Sequence, residues 1–478
     1  LKLPDSSSIL PPETGWELAG RLLRGNLLFV LVVSAWLASL AGAASLSGLV
    51  VWAAGLLYVS YDTSLLLYVA WQTRGLRFAG GHKAATATAA QRVTVGVIVA
   101  ARNEREILPS CIRALQAQTD PPDLIFIADD GSTDDSLARL RREFALVMGP
   151  DGIERAGRLA VLAKPHSGKA RSMNEALPRM TTEVVVTIDA DTVLAPDAIA
   201  ALRRDFAANP KLVAGCGVLR PRCAPGVSGR LFEWFQTFEY LRAFISREAW
   251  VRSDALLLVS GAFAGYRREP LLAVGGFDPL SRVEDYELIH RLHRHSYRHG
   301  LDWQVRVFSE AHAETDAPAT LRQFLRQRSR WFGGFLETIF ENRDMVGSPR
   351  YGKVGVLMLP VKVLDTMQPV FGVTAFALLC WYAISGQPVI WQILATIATK
   401  LGIDLVYHAW SVHLYHRWLG QRVSLKTWGL ALGAALAEPF SFQLLRHAGA
   451  TLGWISFLRR RNDWVPTLPP PAASSPNP

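Results

Sequence analysis

Apolar residues are concentrated toward the two ends of the chain, and the stretch between them alternates short apolar runs with amphipathic ones. No charged residue occurs from Leu27 to Tyr61, and the apolar character continues past Asp62 to Trp71. A helix rises about 1.5 Å per residue and a bilayer needs about 20 residues per crossing. The spacing therefore predicts two membrane helices, Leu27–Ala44 and Gly48–Tyr68, forming a hairpin over 27–71 behind an N-terminal segment 1–26. Arg21 and Arg24 precede the pair while Arg74, Arg77 and Lys83 follow it, which puts both flanks on the cytoplasmic side. The first apolar run starts late and a second follows at once, so a retained hairpin is favoured over a cleaved signal peptide.

Toward the other end, Val354–Ser385, Val389–Trp410 and Leu425–Leu445 are apolar and make up a membrane region over 351–457. Lys362 and Asp365 interrupt the first of these runs. A charge at a bilayer centre costs roughly 2.5–3.5 kcal/mol on insertion scales, so the two must face protein, water or a polar ligand. Their helical spacing allows them to pair with each other. The basic run Arg459–Arg461 suggests a cytoplasmic end, although three crossings would place it outside; the tail 462–478, rich in Pro and Ser, has the composition of a disordered segment.

The middle has a different rhythm. Val93–Ala101 is a buried-strand run, Ile107–Gln118 has helical periodicity, and Leu124–Asp130 and Val184–Asp191 are again apolar strands, each ending in acids. Strands separated by helices form a mostly parallel sheet, whose ligands bind beyond the carboxyl ends of the strands, where these acids fall. No internal repeat is visible, and no GxGxxG follows the first strand, which leaves a dinucleotide dehydrogenase without support.

Composition agrees with a split body. With 478 residues, half of them hydrophobic, and a mean hydropathy of +0.16, the chain is too apolar for an ordinary soluble enzyme and too charged in its middle for a pure membrane bundle. The net charge of +10 is spread over the flanks of the apolar segments as well as the middle, so membrane lipids and an anionic substrate account for it better than nucleic acid. Cys111, Cys216, Cys223 and Cys380 have neither zinc spacing nor a disulfide framework, which points to packed thiols on a reducing, cytosolic face.

Three acidic clusters and one pentapeptide carry the chemistry. They are Ala128–Asp130, the DAD of Asp189–Asp191, Glu284 with Asp285, and QRSRW at Gln327–Trp331. Taken singly each is weak, because an acid after a strand is more often a solvated helix cap. In order, with ARNE at Ala101–Glu104, ADDGSTDDS, HSGKARSMN at His166–Asn174, SGAF at Ser260–Phe263 and GGFD at Gly275–Asp278, they resemble the processive, membrane-integrated family-2 glycosyltransferases: the cellulose, hyaluronan, chitin and poly-N-acetylglucosamine synthases. The resemblance runs from about Val93 to about Glu337.

That resemblance implies an α/β GT-A fold over 93–320, amphipathic interface helices carrying QxxRW over 321–350, and placement in a bacterial inner membrane with the catalytic domain cytosolic. It also implies a UDP-sugar donor, Mg²⁺ or Mn²⁺, inversion at the anomeric carbon, a polysaccharide or lipid-linked acceptor, and export or accessory subunits as partners. Carried onto this chain, Asp130 accepts from the uracil or ribose, with Ala101, Asn103 and Glu104 in the same pocket, and Lys169 meets donor phosphate. Asp189 contacts ribose and, with Asp191, makes up the metal-binding pair for a hard cation that shares its diphosphate with few protein carboxylates. Asp285 is the base, and Glu284 beside it should raise its proton affinity, each carboxylate raising the other's. Arg330 neutralises the leaving diphosphate, while Gln327 and Trp331, sharing a helix face, hold the acceptor sugar over a floor of Ser260, Gly261 and Ala262.

Blander readings stand beside these. Asp285 could simply cap the helix that follows, and QRSRW could be an interfacial helix with Arg on one side and Phe, Leu and Trp on the other. His290, His293 and His295 are interleaved with Arg and read as a solvated basic helix face rather than a metal site, and Phe232–Tyr240 reads as core packing rather than a sugar groove. ARNE departs from the family's usual proline-tyrosine style before Asn-Glu, and Tyr286 and Glu287 fall where related synthases vary. The C-terminal run from Leu445 to Trp464 is most similar to the end of poly-N-acetylglucosamine synthases. The expectation is a processive hexosyltransferase that extends a polysaccharide, with Lys362 and Asp365 as one conceivable lining of a polysaccharide pore. The alternatives are a single-addition enzyme making a glycolipid or lipid-linked sugar, and a non-catalytic scaffold of an export complex.

Overall fold

The computed structural model describes residues 15–44, 48–76, 92–386 and 390–459. The basic residues Arg77 and Lys83, Arg460 and Arg461, and the tail from 462 lie outside them. Helices α1 (Gly15–Ala44) and α2 (Gly48–Thr73) form the N-terminal hairpin. The first begins well before Leu27, so Arg21 and Arg24 belong to the helix itself, and Arg24 reaches the Gly347 carbonyl at 3.3 Å.

A ten-stranded sheet follows, its strands interspersed with helices along the chain. In order these are β1 (Val95–Ala101), α3 (Leu108–Gln116), β2 (Leu124–Asp130), α4 (Ser136–Phe144), β3 (Val147–Met148), β4 (Glu154–Ala156), β5 (Leu159–Lys164), α5 (Lys169–Ala176), β6 (Val184–Asp189), β7 (Thr192–Leu194), α6 (Ala198–Ala208), β8 (Leu212–Arg222), α7 (Val227–Arg252), β9 (Phe263–Arg267), α8 (Arg268–Ala273), α9 (Glu284–Arg298) and β10 (Gln304–Asp316). The spatial order is β3-β4-β5-β2-β1-β6-β9-β8-β10-β7. Strands β5, β2, β1 and β6 run parallel, as does β8 with β10, while β9 lies antiparallel between β6 and β8. The sheet is thus mixed around a parallel centre.

That centre is buried on both faces because helices cover both. Val95, Val97 and Val99 of β1 point into one core with Leu108 and Ile112 of α3 and Ile199 of α6, while Ile98 joins Phe126 and Met173 in the other. β-branched residues suit such strands, and helix-covered parallel strands read as continuous apolar runs. The register sets Ala100 beside Asp189 and Ala101 beside Asp129, so the acid-bearing ends of β1, β2 and β6 share one edge.

Beyond the sheet come α10 (Leu321–Glu341), α11 (Leu359–Ile384), α12 (Ile390–Trp418), α13 (Leu425–Ala437) and α14 (Phe442–Leu458). Thr320 caps α10 by accepting the Gln323 N–H at 3.4 Å. One face of α10 is buried through Phe324, Leu336 and Ile339, while Arg322, Arg326 and Arg330 are exposed. It packs along α14 at glycines: a methyl on Gly453 would come 2.9 Å from the Gly333 nitrogen and 3.0 Å from the Ser329 carbonyl. Among the described residues, Leu18–Gly42, Val354–Ile384 and Ile390–Trp418 are long and apolar enough to cross a membrane. The apolar run Leu425–Leu445 is not one helix; a turn at Glu438–Phe440 containing Pro439 separates α13 from α14, since proline cannot supply the next helical hydrogen bond. Lys362 and Asp365 pair at 3.1 Å, and Tyr61 donates to the same carboxylate at 2.5 Å, so this charge is matched within the helices.

Phe232, Phe235 and Phe238 of α7 are buried, the first two against Phe442, in keeping with core packing. His290 and His293 are not solvated. They lie on the inner face of α9, where His290 meets the Tyr286 carbonyl and His293 the Leu256 carbonyl, both at 2.9 Å. Burial pulls His290 down to about 3 and lowers His293 as well, so both are neutral. The helix positions its apolar face by Tyr286, Ile289 and Leu292, and these histidines share that face, which the interleaved arginines conceal in the sequence.

Candidate functional site

The shared edge of β1, β2 and β6 holds the acids. Lys169, the first residue of α5, donates to Asp189 Oδ1 at 2.6 Å and lies 3.2 Å from Glu284 Oε1. Burial works to lower the Lys169 pKa, but the charges of Asp189 and Glu284 outweigh it and hold it raised, so the ammonium is charged. Glu284 and Asp285 open α9, where the helix N-terminus favours negative charge. Glu284 is held below the ordinary range: burial pushes it up, and Lys169, then Arg330, push it down further. Asp285 moves the other way, raised by burial and by the Glu284 charge. The two carboxylates therefore do not raise each other. Lys169 splits them into one ionised acid and one with increased proton affinity, the kind of division that separates acid and base roles.

Asp285 is fixed by backbone. Gly261 donates to its Oδ2 at 2.6 Å and the Tyr286 N–H to its Oδ1 at 2.8 Å. The next residue, Ala262, accepts the Asp189 N–H at 3.2 Å, so the turn into β9 ties β6 to α9. A Cβ at Gly261 would stand 2.9 Å from Asp285 Oδ2. Ser260 takes part through its carbonyl, which accepts the Phe263 N–H at 3.3 Å.

Asp191 lies half-buried past the end of β6, with Thr192 and Thr315 hydroxyls each 3.4 Å from its Oδ1. Burial, then Asp189 and Asp316, raise it to about 6. Glu104 is raised to about 7, by burial and then by Asp191, Asp316, Asp134 and Asp189. Asp316, at the end of β10, belongs to none of the sequence motifs, although it ends a strand as the other acids do; it pairs with Arg222 at 2.7 Å. Four carboxylates thus repel one another around Asp191. No group of three His, Cys, Asp or Glu side chains among the described residues is placed to hold a cation by itself. The donor set suits a hard divalent cation that draws further oxygens from a diphosphate.

Asp130, expected in the nucleoside pocket, is held from within the protein. Its oxygens accept from Ser167 N–H at 2.8 Å, Gly168 N–H at 2.9 Å and the Ser172 hydroxyl at 2.9 Å, with His166 Nδ1 at 2.7 Å and Lys164 Nζ at 3.3 Å. Burial works to raise it, and these hydrogen bonds bring it below the usual range. With both oxygens taken, Asp130 shapes the loop leading to Lys169, where Gly168 adopts a left-handed φ of 101°. Ala101 is buried in β1 and offers a pocket only its backbone. Asn103 bridges two loops, donating its N–H to Ser132 Oγ at 2.9 Å and accepting the Thr133 N–H at 2.8 Å.

On α10, Arg330 Nη1 donates to the Arg282 carbonyl at 3.0 Å, just ahead of Glu284. Gln327 Oε1 is buried without a hydrogen-bond partner among the described residues. Trp331, one turn on, is half-buried beside Arg328. Asp189, Lys169, Glu284, Asp285 and Arg330 are consequently linked by contact or field, and Asp191 is coupled to Asp189.

Residues 96–275 match the family model described as glycosyl transferase family 2. This segment is a family-2 glycosyltransferase domain. The chain is similar to the poly-beta-1,6-N-acetyl-D-glucosamine synthase of Staphylococcus epidermidis, with 25% identity over 283 residues, 59% of this chain and 64% of that protein. It is also similar to that of Staphylococcus aureus strain COL, with 26% identity over 247 residues, 51% of this chain and 55% of that protein. The matches cover less than two thirds of these curated relatives. Among solved structures, the mannosyltransferase PcManGT from Pyrobaculum calidifontis, in complex with GDP-Man and Mn²⁺, aligns with a TM-score of 0.52 and 21% identity over 87% of this chain and 99% of that one. That likeness shows the GT-A fold of the glycosyltransferase domain.

Proposed function

We propose that the chain is an inverting, processive hexosyltransferase that moves a hexose or N-acetylhexosamine from a UDP-sugar onto a growing polysaccharide at the cytosolic face of a bacterial inner membrane, and couples synthesis to passage across it. The observation that carries this reading is Lys169, bridging Asp189 at 2.6 Å and Glu284 at 3.2 Å and so drawing a donor side and an acceptor side into one pocket. In this reading 27–71 and 351–457 are the membrane regions, 93–320 the catalytic domain and 321–350 the interface between them.

The donor enters at the edge of β1, β2 and β6, lined by Asn103, Glu104 and Asp189. Asp189 and Asp191 would hold Mg²⁺ or Mn²⁺, which when bound neutralises the diphosphate. Lys169 and Arg330 supply positive charge to the departing UDP. An acceptor hydroxyl rests on Trp331 and Gln327 and faces Asp285. As its oxygen bonds to the anomeric carbon and the bond to UDP breaks on the opposite face, Asp285 takes the hydroxyl proton.

Two outcomes check these roles. Gly261→Ala should lower transfer by about 10²-fold, since displacing a reacting group by an ångström has that order of effect; UDP binding measured by calorimetry should stay as it was. Trp331→Ala should shorten the product and lower sugar incorporation about tenfold while donor KM holds, and a change confined to nucleotide binding would count against an acceptor platform.

The reading itself is tested by incubating the purified protein, in lipid nanodiscs, with Mn²⁺ and a panel of radiolabelled UDP- and GDP-sugars, then sizing the product. Polymer from a UDP-sugar is expected, and no transfer from any UDP-sugar would overturn it. One observation favours single addition to a lipid-linked acceptor: a cavity of about 450 Å³ between α2, α11, α12 and residues 435–447, walled by Leu66, Phe371 and Ile397 with Lys400, Asp404 and His408 at its polar side. A product of one added sugar would select it.

A further inference from the structure

Arg328 lies inside QRSRW but outside the residues that the motif brings to the site. Its guanidinium carbon stands 4.7 Å from the ring centre of Trp331 and 4.7 Å from that of Phe324, so it occupies the space between two aromatics of α10. Its Nη1 and Nη2 donate to the two oxygens of Glu239 at 3.0 and 2.7 Å, and both side chains are nearly buried. Glu239 belongs to α7, the helix that leaves the sheet and runs against α2, α12 and α13. The same carboxylate lies 3.4 Å from Arg446, which is 3.3 Å from Glu438; Glu438 accepts two bonds from Arg242 at 2.6 Å. Trp331 thus sits beside one end of a chain of alternating charges that crosses from α10 to α7, on to α14 and the turn before it, and back to α7 at Arg242.

We infer that Arg328, clamped by Glu239, is a positioning residue that sets the plane of the Trp331 indole and through it the placement of the acceptor sugar. The inference rests on the reading that Trp331 bears the acceptor. A planar fork is suited to this because it can bind a carboxylate with two parallel bonds while its face lies on an aromatic ring; an ammonium offers neither the fork nor the flat face. The competing role is a strut, in which the pair merely fastens α10 to α7. A strut needs only a positive charge on α10 facing Glu239, whereas a positioning role needs the guanidinium beside the indole.

The full chain in lipid nanodiscs, supplied with UDP-N-acetylglucosamine and Mn²⁺, separates the two. In Arg328→Gln, UDP release should continue within about twofold, while sugar incorporated per UDP released falls about tenfold and the product shortens, because water replaces a badly held acceptor. Arg328→Lys, which keeps the charge facing Glu239 but has neither the fork nor the flat face, should hold the melting temperature near that of wild type and leave the ratio low. Full recovery of the ratio by Arg328→Lys, or equal loss of UDP release and incorporation, would make the pair a strut. A cryo-EM map of Arg328→Gln gives a reading that does not depend on the donor: a displaced indole is expected, and an indole unmoved from its wild-type position overturns the inference. Should wild-type protein fail to use this donor, the donor reading fails and the map alone decides the role of Arg328.

Discussion

Asp285→Asn is expected to reduce sugar transfer by about 10²- to 10⁴-fold, the usual contribution of a positioned general base, with UDP binding nearly unchanged. The two backbone donors that orient the carboxylate, Gly261 and Tyr286, remain, so the side chain should keep its place while losing its ability to take a proton. Initial rates and isothermal calorimetry with UDP and Mn²⁺ measure the two halves separately. Normal turnover would remove Asp285 from the reaction. Its proton affinity adds a second readout. Burial and the Glu284 charge raise the Asp285 pKa, and as the proposed base it works in the carboxylate form, so the wild-type rate should fall as pH is lowered through that raised pKa. The residual rate of the asparagine variant should lack this limb. Stability has the opposite sign. A raised native pKa contributes stability that is complete below the unfolded-state value and lost as pH rises through the native one. The melting temperature of the variant should therefore decline less than that of wild type as pH rises from the unfolded-state carboxylate value through the raised native one.

Asp191→Asn should abolish metal-dependent donor binding and lower transfer by about 10²-fold or more, because charge neutralisation by a bound cation is worth several kcal/mol. Asp191 stands where Asp189, Asp316 and Glu104 repel one another, so the neutral side chain relieves that repulsion in the metal-free protein. Melting of the metal-free variant should consequently match or exceed wild type, and addition of Mn²⁺ with UDP should stabilise wild type alone. Equal stabilisation of both by Mn²⁺ and UDP would place the cation elsewhere. Loss of transfer without loss of metal-dependent binding would assign Asp191 a different role.

Much of this arrangement is legible in the residues because it depends on strand ends. Apolar runs that stop at Asp130 and Asp189 announce parallel strands with acids at one edge, and the hairpin before them announces itself by the absence of charge. What stays hidden depends on three-dimensional proximity. Asp130 has the same sequence signature as Asp189, yet the segment from the end of β5 into α5 folds back over it and occupies both of its oxygens. Glu284 and Asp285 look like mutual repellers until Lys169, over a hundred positions earlier, arrives beside one of them. His290 and His293 follow the periodicity of the buried face of α9, but the arginines between them give the segment the look of a solvated surface. Asp316 is within reach, since it closes the last strand; nothing in its spacing separates it from the acids of the preceding segment. The break at Pro439 is likewise marked by the proline, and masked by the apolar character on either side of it.

The backbone contact between α10 and α14 at Gly333 and Gly453 bears on how a long product could advance. With no side chain to act as a bearing, the two helices are seated main chain to main chain, and sliding one along the other would drive Phe332 or Ser329 into its neighbour. Trp331 is adjacent to that seat. Under the proposed processive reading, the Trp331 platform is an anvil rather than a piston, and each step forward is made by the glycan.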